Sequence, residues 1–185
     1  MTDSQLNARD QWRGRFFEDL VVGDVFRSRL GRTVTSTDNA WFTLLTLNTN
    51  QLHFNDVFAG RSRWGQQLVN SCLTLSLVSG LSVGDTSENA VANLSWTDVM
   101  LPNPVFVGDT LWAESEILET RGSQSNPQVG IVKMRTRGLN QHGAAVIEFL
   151  RSFMIPRRSA APESIFPTPV GPWTVGPDGA GSASA

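Results

Sequence analysis

The chain reads as an α+β domain in which a long antiparallel sheet wraps around a buried central helix. Three observations predict it. Four long strand-like segments follow one another after residue 84, separated by short turn-rich pieces. Ahead of them, residues 70–82 are apolar around most of a helical circumference, the pattern of a buried helix. A length of 185 residues with 40% apolar content suits one domain with tails. Residues 1–15 read as a polar lead-in, 16–156 as the domain and 157–185 as a Pro/Gly-rich tail.

From Phe16 to Thr35 the chain carries a turn at Val22-Gly23-Asp24, then a strand with Val25, Leu30 and Val34. Thr35-Ser36-Thr37-Asp38 starts a helix: a hydroxyl for the N-cap and a carboxylate three residues on. Trp41, Leu44 and Leu45 lie on one face at helical spacing, and the helix is expected to end near Leu47 or Asn48. Residues 55–67, with Gly60, Gly65, Arg61 and Arg63, read as an irregular wrapping segment. Asn70 is the N-cap of the next helix. Leu73, Leu75, Leu77, Val78 and Leu81 surround it, and the small Ser71, Thr74, Ser76 and Ser79 let a sheet pack closely. The strands are 90–101, 111–119, 129–139 and 144–155, joined by turns rich in Pro, Gly and Asn, which implies an antiparallel meander. Pro162, Pro167, Pro169, Pro172 and Pro177, followed by Gly, Ser and Ala, predict a tail that is extended or disordered at its very end, with Ile165, Phe166 and Trp173 able to dock on a neighbour.

Composition excludes several functions. Net charge is −2, so nothing draws the chain globally to nucleic acid or an anionic membrane. No apolar run approaches the roughly 20 residues of a membrane span, and the start lacks the apolar core of a signal peptide. The single cysteine, Cys72, excludes an internal disulfide and fits a reducing, cytoplasmic setting; its apolar surroundings predict an inert buried thiol. No Cys/His/Asp spacing resembles a metal site.

Asn48-Thr49-Asn50-Gln51-Leu52-His53 carries the chemistry, with one of only two histidines just past a helix. An imidazole exchanges protons near neutral pH. Carboxamides hold a water or a carbonyl but take no proton. The pattern points to proton transfer on a neutral polar group, or to a histidine that merely caps or packs. Asp56 reads as a solvated turn residue and His142 as a hairpin-turn surface residue.

The element order resembles the hot-dog fold of the MaoC-like hydratases, relatives of the R-specific enoyl-CoA hydratases, from Phe16 to Ile155. The family motif Asp-x-Asn-Pro-aliphatic-His, with a later Ala, aligns with Asn48 to His53 and Ala59. The family's His-Gly helix start and Ser-Gly helix end align with Asn70-Ser71 and Ser79-Gly80. Pro104-Val105-Phe106-Val107-Gly108-Asp109-Thr110-Leu111 is similar to the family's Pro-Val-aromatic-x-Gly-Asp-x-Leu turn. Asn48 thus stands where the family has its catalytic Asp, Gln51 where it has Pro, and Asn70-Ser71 where it has His-Gly. This carboxamide-rich version resembles the mesaconyl-CoA hydratase (β-methylmalyl-CoA dehydratase) branch.

The resemblance implies an acyl-CoA hydro-lyase: reversible hydration of a 2-enoyl-CoA or dehydration of a 3-hydroxyacyl-CoA. It implies a homodimer or larger oligomer and no cofactor, coenzyme A being part of the substrate. His53 would be the acid/base and Asn48 would orient the water, with Asn50 and Gln51 supporting the loop. Ser71, by its backbone N–H, and Asn70 would hold the thioester oxygen; Ser79 would support by packing. Arg61 and Arg63 would contact the CoA phosphates or a substrate carboxylate, or are solvated surface charges. Two rivals share the fold. One is a thioesterase, against which the His-bearing motif argues. The other is an inactive subunit that binds an acyl thioester or supports a partner, for which Asn48 argues.

Overall fold

The protein is described by a computed structural model covering residues 14–161, 167, 169–171 and 175. The lead-in up to residue 13 and the expected tail anchors Ile165, Phe166 and Trp173 lie outside the described residues. Along the chain come β1 (Val25–Arg27), β2 (Arg32–Thr33), α1 (Ser36–Leu45), α2 (Asp56–Gly60), α3 (Ser71–Thr86), β3 (Ala92–Met100), β4 (Thr110–Gly122), β5 (Val129–Leu139) and β6 (Ala145–Pro156). Single 3-10 turns lie at Phe17–Asp19, Gln51–His53 and Arg158–Ala160.

The four long strands fall where the alternation predicts, but only three form a meander. The sheet order is β1-β4-β5-β6-β3, with β2 pairing beside β1 on β4, and these strand pairs are antiparallel. The segment between β3 and β4 therefore crosses the sheet, and β3 becomes the far edge. The single strand expected from Val25 to Val34 is split into β1 and β2 by Ser28 to Gly31.

α1 begins with the expected reciprocal cap: the Asp38 N–H donates to Thr35 Oγ1 at 3.1 Å and the Thr35 N–H to Asp38 Oδ2 at 2.8 Å. It ends two residues earlier than expected. Leu47 turns left-handed at φ 57°, and the N–H groups of Leu47 and Asn48 reach the carbonyls of Leu44 and Thr43, each at 3.0 Å. The Trp41, Leu44, Leu45 ridge faces outward in this chain, with Trp41 77% and Leu45 83% exposed, while Asn39 and Thr43 are wholly buried. The segment expected to be irregular contains α2, capped by the Asn55 side chain.

Asn70 caps α3 as predicted, its Oδ1 accepting the Cys72 N–H at 2.9 Å. The helix lays Leu73, Thr74, Val78, Ser82 and Thr86 into the core. The closest approach to the sheet is made by a sheet residue: a Cβ on Gly138 would lie 2.5 Å from Val78 Cγ2. Any larger residue there would push helix and sheet apart, an overpacking of about 1–3 kcal/mol. One cluster joins Val34, Val69, Leu73, Val78, Leu111 and Ile147; a second joins Leu20, Ile117, Val132, Met134, Phe153 and Ile155. At the far end of α3, Arg151 is 4% exposed. It donates to Asn93 Oδ1 at 2.7 Å and to Ser87 Oγ at 3.1 Å, and burial lowers its pKa from the ordinary arginine value. The cation sits at the C-cap, where the helix dipole favours positive charge. Cys72 corrects the sequence expectation: it is exposed, on the side of α3 turned away from the sheet.

Candidate active site

His53 ends the 3-10 turn that follows α1, and only 7% of its surface is exposed. Its Nδ1 lies 2.8 Å from the Leu68 carbonyl oxygen. A carbonyl only accepts, so Nδ1 carries the proton and donates. The neutral ring then keeps its lone pair on Nε2, the arrangement needed in a proton acceptor. Leu68 lies two residues before the α3 cap, so this bond ties the imidazole to the chain entering that helix.

The α3 entry is fixed from several sides. Asn70 uses Oδ1 on the Cys72 N–H and Nδ2 on Thr43 Oγ1 at 3.2 Å, and its carbonyl takes the Thr74 N–H at 3.0 Å. The Ser71 N–H has no protein acceptor among the described residues. It is a first-turn amide at the positive end of a helix dipole, suited to an oxygen that gains negative charge. Asn70 holds that helix end with a carboxamide already committed on both sides.

The other carboxamides mostly shape the loop. Asn48 Oδ1 accepts the Asn50 N–H at 3.0 Å, which leaves one lone pair of that oxygen and the NH2 group available. Asn50 Oδ1 caps the 3-10 turn through the Leu52 N–H at 3.1 Å. Gln51 Oε1 accepts from Asn55 Nδ2 at 2.6 Å. Asp56, expected to be merely solvated, accepts from Gln67 Nε2 at 2.7 Å. Ser79 lies half-buried in mid-helix, where its carbonyl receives the Ser82 hydroxyl at 2.7 Å. Arg61 and Arg63 are exposed on the turn after α2; the Arg63 guanidinium lies 4.4 Å from the Trp64 ring centroid. His142 is exposed in its hairpin.

The structure thus brings His53, the Leu68 carbonyl and the Asn70-Ser71 helix start together, while Arg61 and Arg63 sit on the surface. Sequence reasoning missed Asn39. Its Nδ2 donates to the His53 carbonyl at 2.7 Å and to the Leu68 carbonyl at 3.1 Å, and its Oδ1 accepts the Asn70 N–H at 2.9 Å. The available signal was the polar pair Asn39 and Thr43, four residues apart and opposite the Trp41 ridge. Among the described residues no group of three or more His, Cys, Asp or Glu could hold a metal, and no helix is long and apolar enough to cross a membrane.

Comparison with known proteins supplies the family. A family model described as mesaconyl-CoA hydratase matches residues 3–164. The mesaconyl-CoA hydratase of Cereibacter sphaeroides is 38% identical over 155 residues, covering 84% of this chain and 45% of that protein. The (R)-specific enoyl-CoA hydratase of Aeromonas caviae is 29% identical over 130 residues, covering 70% of this chain and 91% of that one. A MaoC-domain dehydratase from Chloroflexus aurantiacus superimposes with a TM-score of 0.76 at 29% identity, over 94% of this chain and 52% of its own. A double hot-dog protein of Mycobacterium tuberculosis gives 0.73 at 23% identity, over 84% and 48%, a likeness of fold alone. The chain spans about half the length of the mesaconyl-CoA hydratases it matches (45%). It has the hot-dog fold and belongs to the mesaconyl-CoA hydratase family.

Proposed function

We propose that this chain is a hydro-lyase unit acting on an acyl-CoA, adding water to a 2-enoyl thioester and removing it from the 3-hydroxyacyl product. The observation that carries this reading is the 2.8 Å contact of His53 Nδ1 with the Leu68 carbonyl, just ahead of a helix whose Ser71 N–H has no protein acceptor among the described residues. Hydration needs these two things. His53 Nε2 takes a proton from the water as its oxygen bonds to C3. The electron pair moves to the thioester oxygen, where the Ser71 N–H and the α3 dipole stabilise it. His53 then returns the proton to C2, which balances the reaction with one titrating group. Asn48 aligns the water through its NH2 group. Arg61 and Arg63 meet the CoA phosphates or a substrate carboxylate.

Family membership supports the substrate class, and the name of the Cereibacter relative supports a branched dicarboxylic acyl group such as mesaconyl. Coenzyme A enters as part of the substrate, and no further cofactor takes part. The working assembly on this reading is a homodimer, or a larger even assembly, in the cytoplasm where acyl-CoA is found. The deciding experiment is hydration of mesaconyl-CoA and crotonyl-CoA by wild type and His53→Ala. Turnover should fall by roughly a hundredfold or more, as loss of a general acid–base usually does. Near-normal turnover by a folded His53→Ala protein would remove His53 from the mechanism.

A further inference from the structure

We infer that Asn39 is a positioning residue: one buried carboxamide registers the His53 imidazole against the N-terminus of α3. Its catalytic consequence rests on the hydratase reading; its geometry does not. Asn39 is wholly buried on the inner face of α1. Its three bonds reach the His53 carbonyl, the Leu68 carbonyl and the Asn70 N–H, at 2.7, 3.1 and 2.9 Å. Those are the three pieces of backbone that the proposed chemistry needs in fixed relation. They carry the acid/base, the acceptor that sets its tautomer, and the cap of the helix that faces the thioester oxygen.

The Leu68 carbonyl is the pivot. It accepts two donors, His53 Nδ1 at 2.8 Å and Asn39 Nδ2 at 3.1 Å. Two donors occupy both lone pairs of that oxygen, so its direction is set, and with it the plane of the ring bonded to it. Asn39 also holds the backbone of His53 itself, so ring and acceptor are fixed from the same side chain. The role needs two donors and one acceptor at the length of asparagine. An aspartate would turn an acceptor toward two carbonyls. A serine reaches at most one of them, and a leucine none. Asn39 touches neither ring nitrogen of His53 in any bond the structure contains, so its effect on the reaction must pass through placement.

The chain holds two histidines, His53 and His142, and this makes the test clean. Long-range proton–nitrogen spectra of the full chain labelled with 15N-histidine report both rings. In wild type, His53 should show the pattern of a single Nδ1–H tautomer when neutral. In Asn39→Ser its ring nitrogens should move toward a mixed-tautomer pattern, while those of His142 stay in place. Asn39→Thr, nearer in volume, serves if Asn39→Ser does not fold. The kinetic arm uses mesaconyl-CoA and crotonyl-CoA. Asn39→Ser should lower kcat about tenfold or more, as misplacing a reacting group does, with KM changed no more than about twofold. Placed in the His53→Ala background, it should change the residual rate by less than about twofold, because the group it positions is gone. Unmoved His53 resonances would overturn the proposal, and so would a full additive loss in the double variant. Should wild type hydrate neither substrate, the hydratase reading fails, and the spectra alone still decide what Asn39 does.

Discussion

At the scale of single residues, the site turns on what Asn48 can offer. Its backbone N–H closes the end of α1 and its Oδ1 is taken by the Asn50 N–H. One lone pair of that oxygen remains, beside an NH2 group that has no partner among the described residues and can donate. A donated bond orients a water oxygen but cannot receive its proton. On the proposed reading His53 makes both proton transfers and Asn48 makes none, so Asn48→Ala should cost less turnover than His53→Ala. Asn48→Asp is the sharper probe. It would replace the outward donor by an anionic acceptor, and should lower turnover of mesaconyl-CoA by about tenfold or more, since a second carboxylate then faces an anionic acyl group. Steady-state kinetics on mesaconyl-CoA and crotonyl-CoA check this. A silent wild type together with strong gain on both substrates would instead mark an inactive acyl-thioester-binding subunit.

At the scale of elements, local chemistry fixes the helix ends, and it also gives the chain a defined pH response. Asp38 closes the cap of α1. The Thr35 hydroxyl at 2.7 Å, most of all, holds its carboxyl below the usual aspartate value; burial opposes it, and the Thr35 backbone N–H and Arg32 add smaller lowering effects. A folded-state value below the unfolded one stabilises the fold above the unfolded value, near 3.9, and loses that contribution as pH falls through the folded value. Asp38→Asn should therefore cost about 1 kcal/mol at neutral pH. The gap to wild type should begin to narrow as pH falls past the unfolded value and close only below the lower folded value, where both side chains are neutral. Urea melts from neutral to acid pH measure it; a gap that persists in acid would mean the charge contributes nothing. Such ends are legible in a sequence because Thr35 with Asp38, or Asn70 before Cys72, act within four residues. The four long strands were legible for the same reason, since alternation is local. The place of β3 was not, because its pairing with β6 joins residues more than forty apart. Nor was the value of Asn39 and Thr43. Polar residues on a short helix read as its wet side, and only the segments 51–53 and 68–70, folded over them, make that side the dry one. Cys72 misled in the opposite sense: its apolar neighbours are buried, but it occupies the one open side of α3.

At the scale of the molecule, two elements each present several large apolar side chains to solvent. The α1 ridge exposes Trp41, Leu44 and Leu45, and edge strand β3 exposes Leu94, Trp96, Val99 and Met100. So many large apolar side chains in water are a cost that a partner surface removes. The β3 edge is also irregular. Its register with β6 shifts between Asn93 and Ser95 and again between Thr97 and Met100, where Asp98 sits at φ 53°. Bulges of this kind blunt open-ended strand addition, so a partner must be held by fitting side chains rather than by an indiscriminate backbone ladder. On the proposed homodimer, these two surfaces are where a second copy would sit. Sedimentation of the wild type at micromolar concentration should give a species of two chains or an even multiple. Trp96→Lys, which puts a charge into the exposed apolar strand, should shift it toward monomer and reduce hydratase turnover in parallel. A monomeric wild type with full activity at assay concentrations would rule out this assembly. A monomeric Trp96→Lys protein that kept its turnover would show instead that one hot-dog unit completes the site alone.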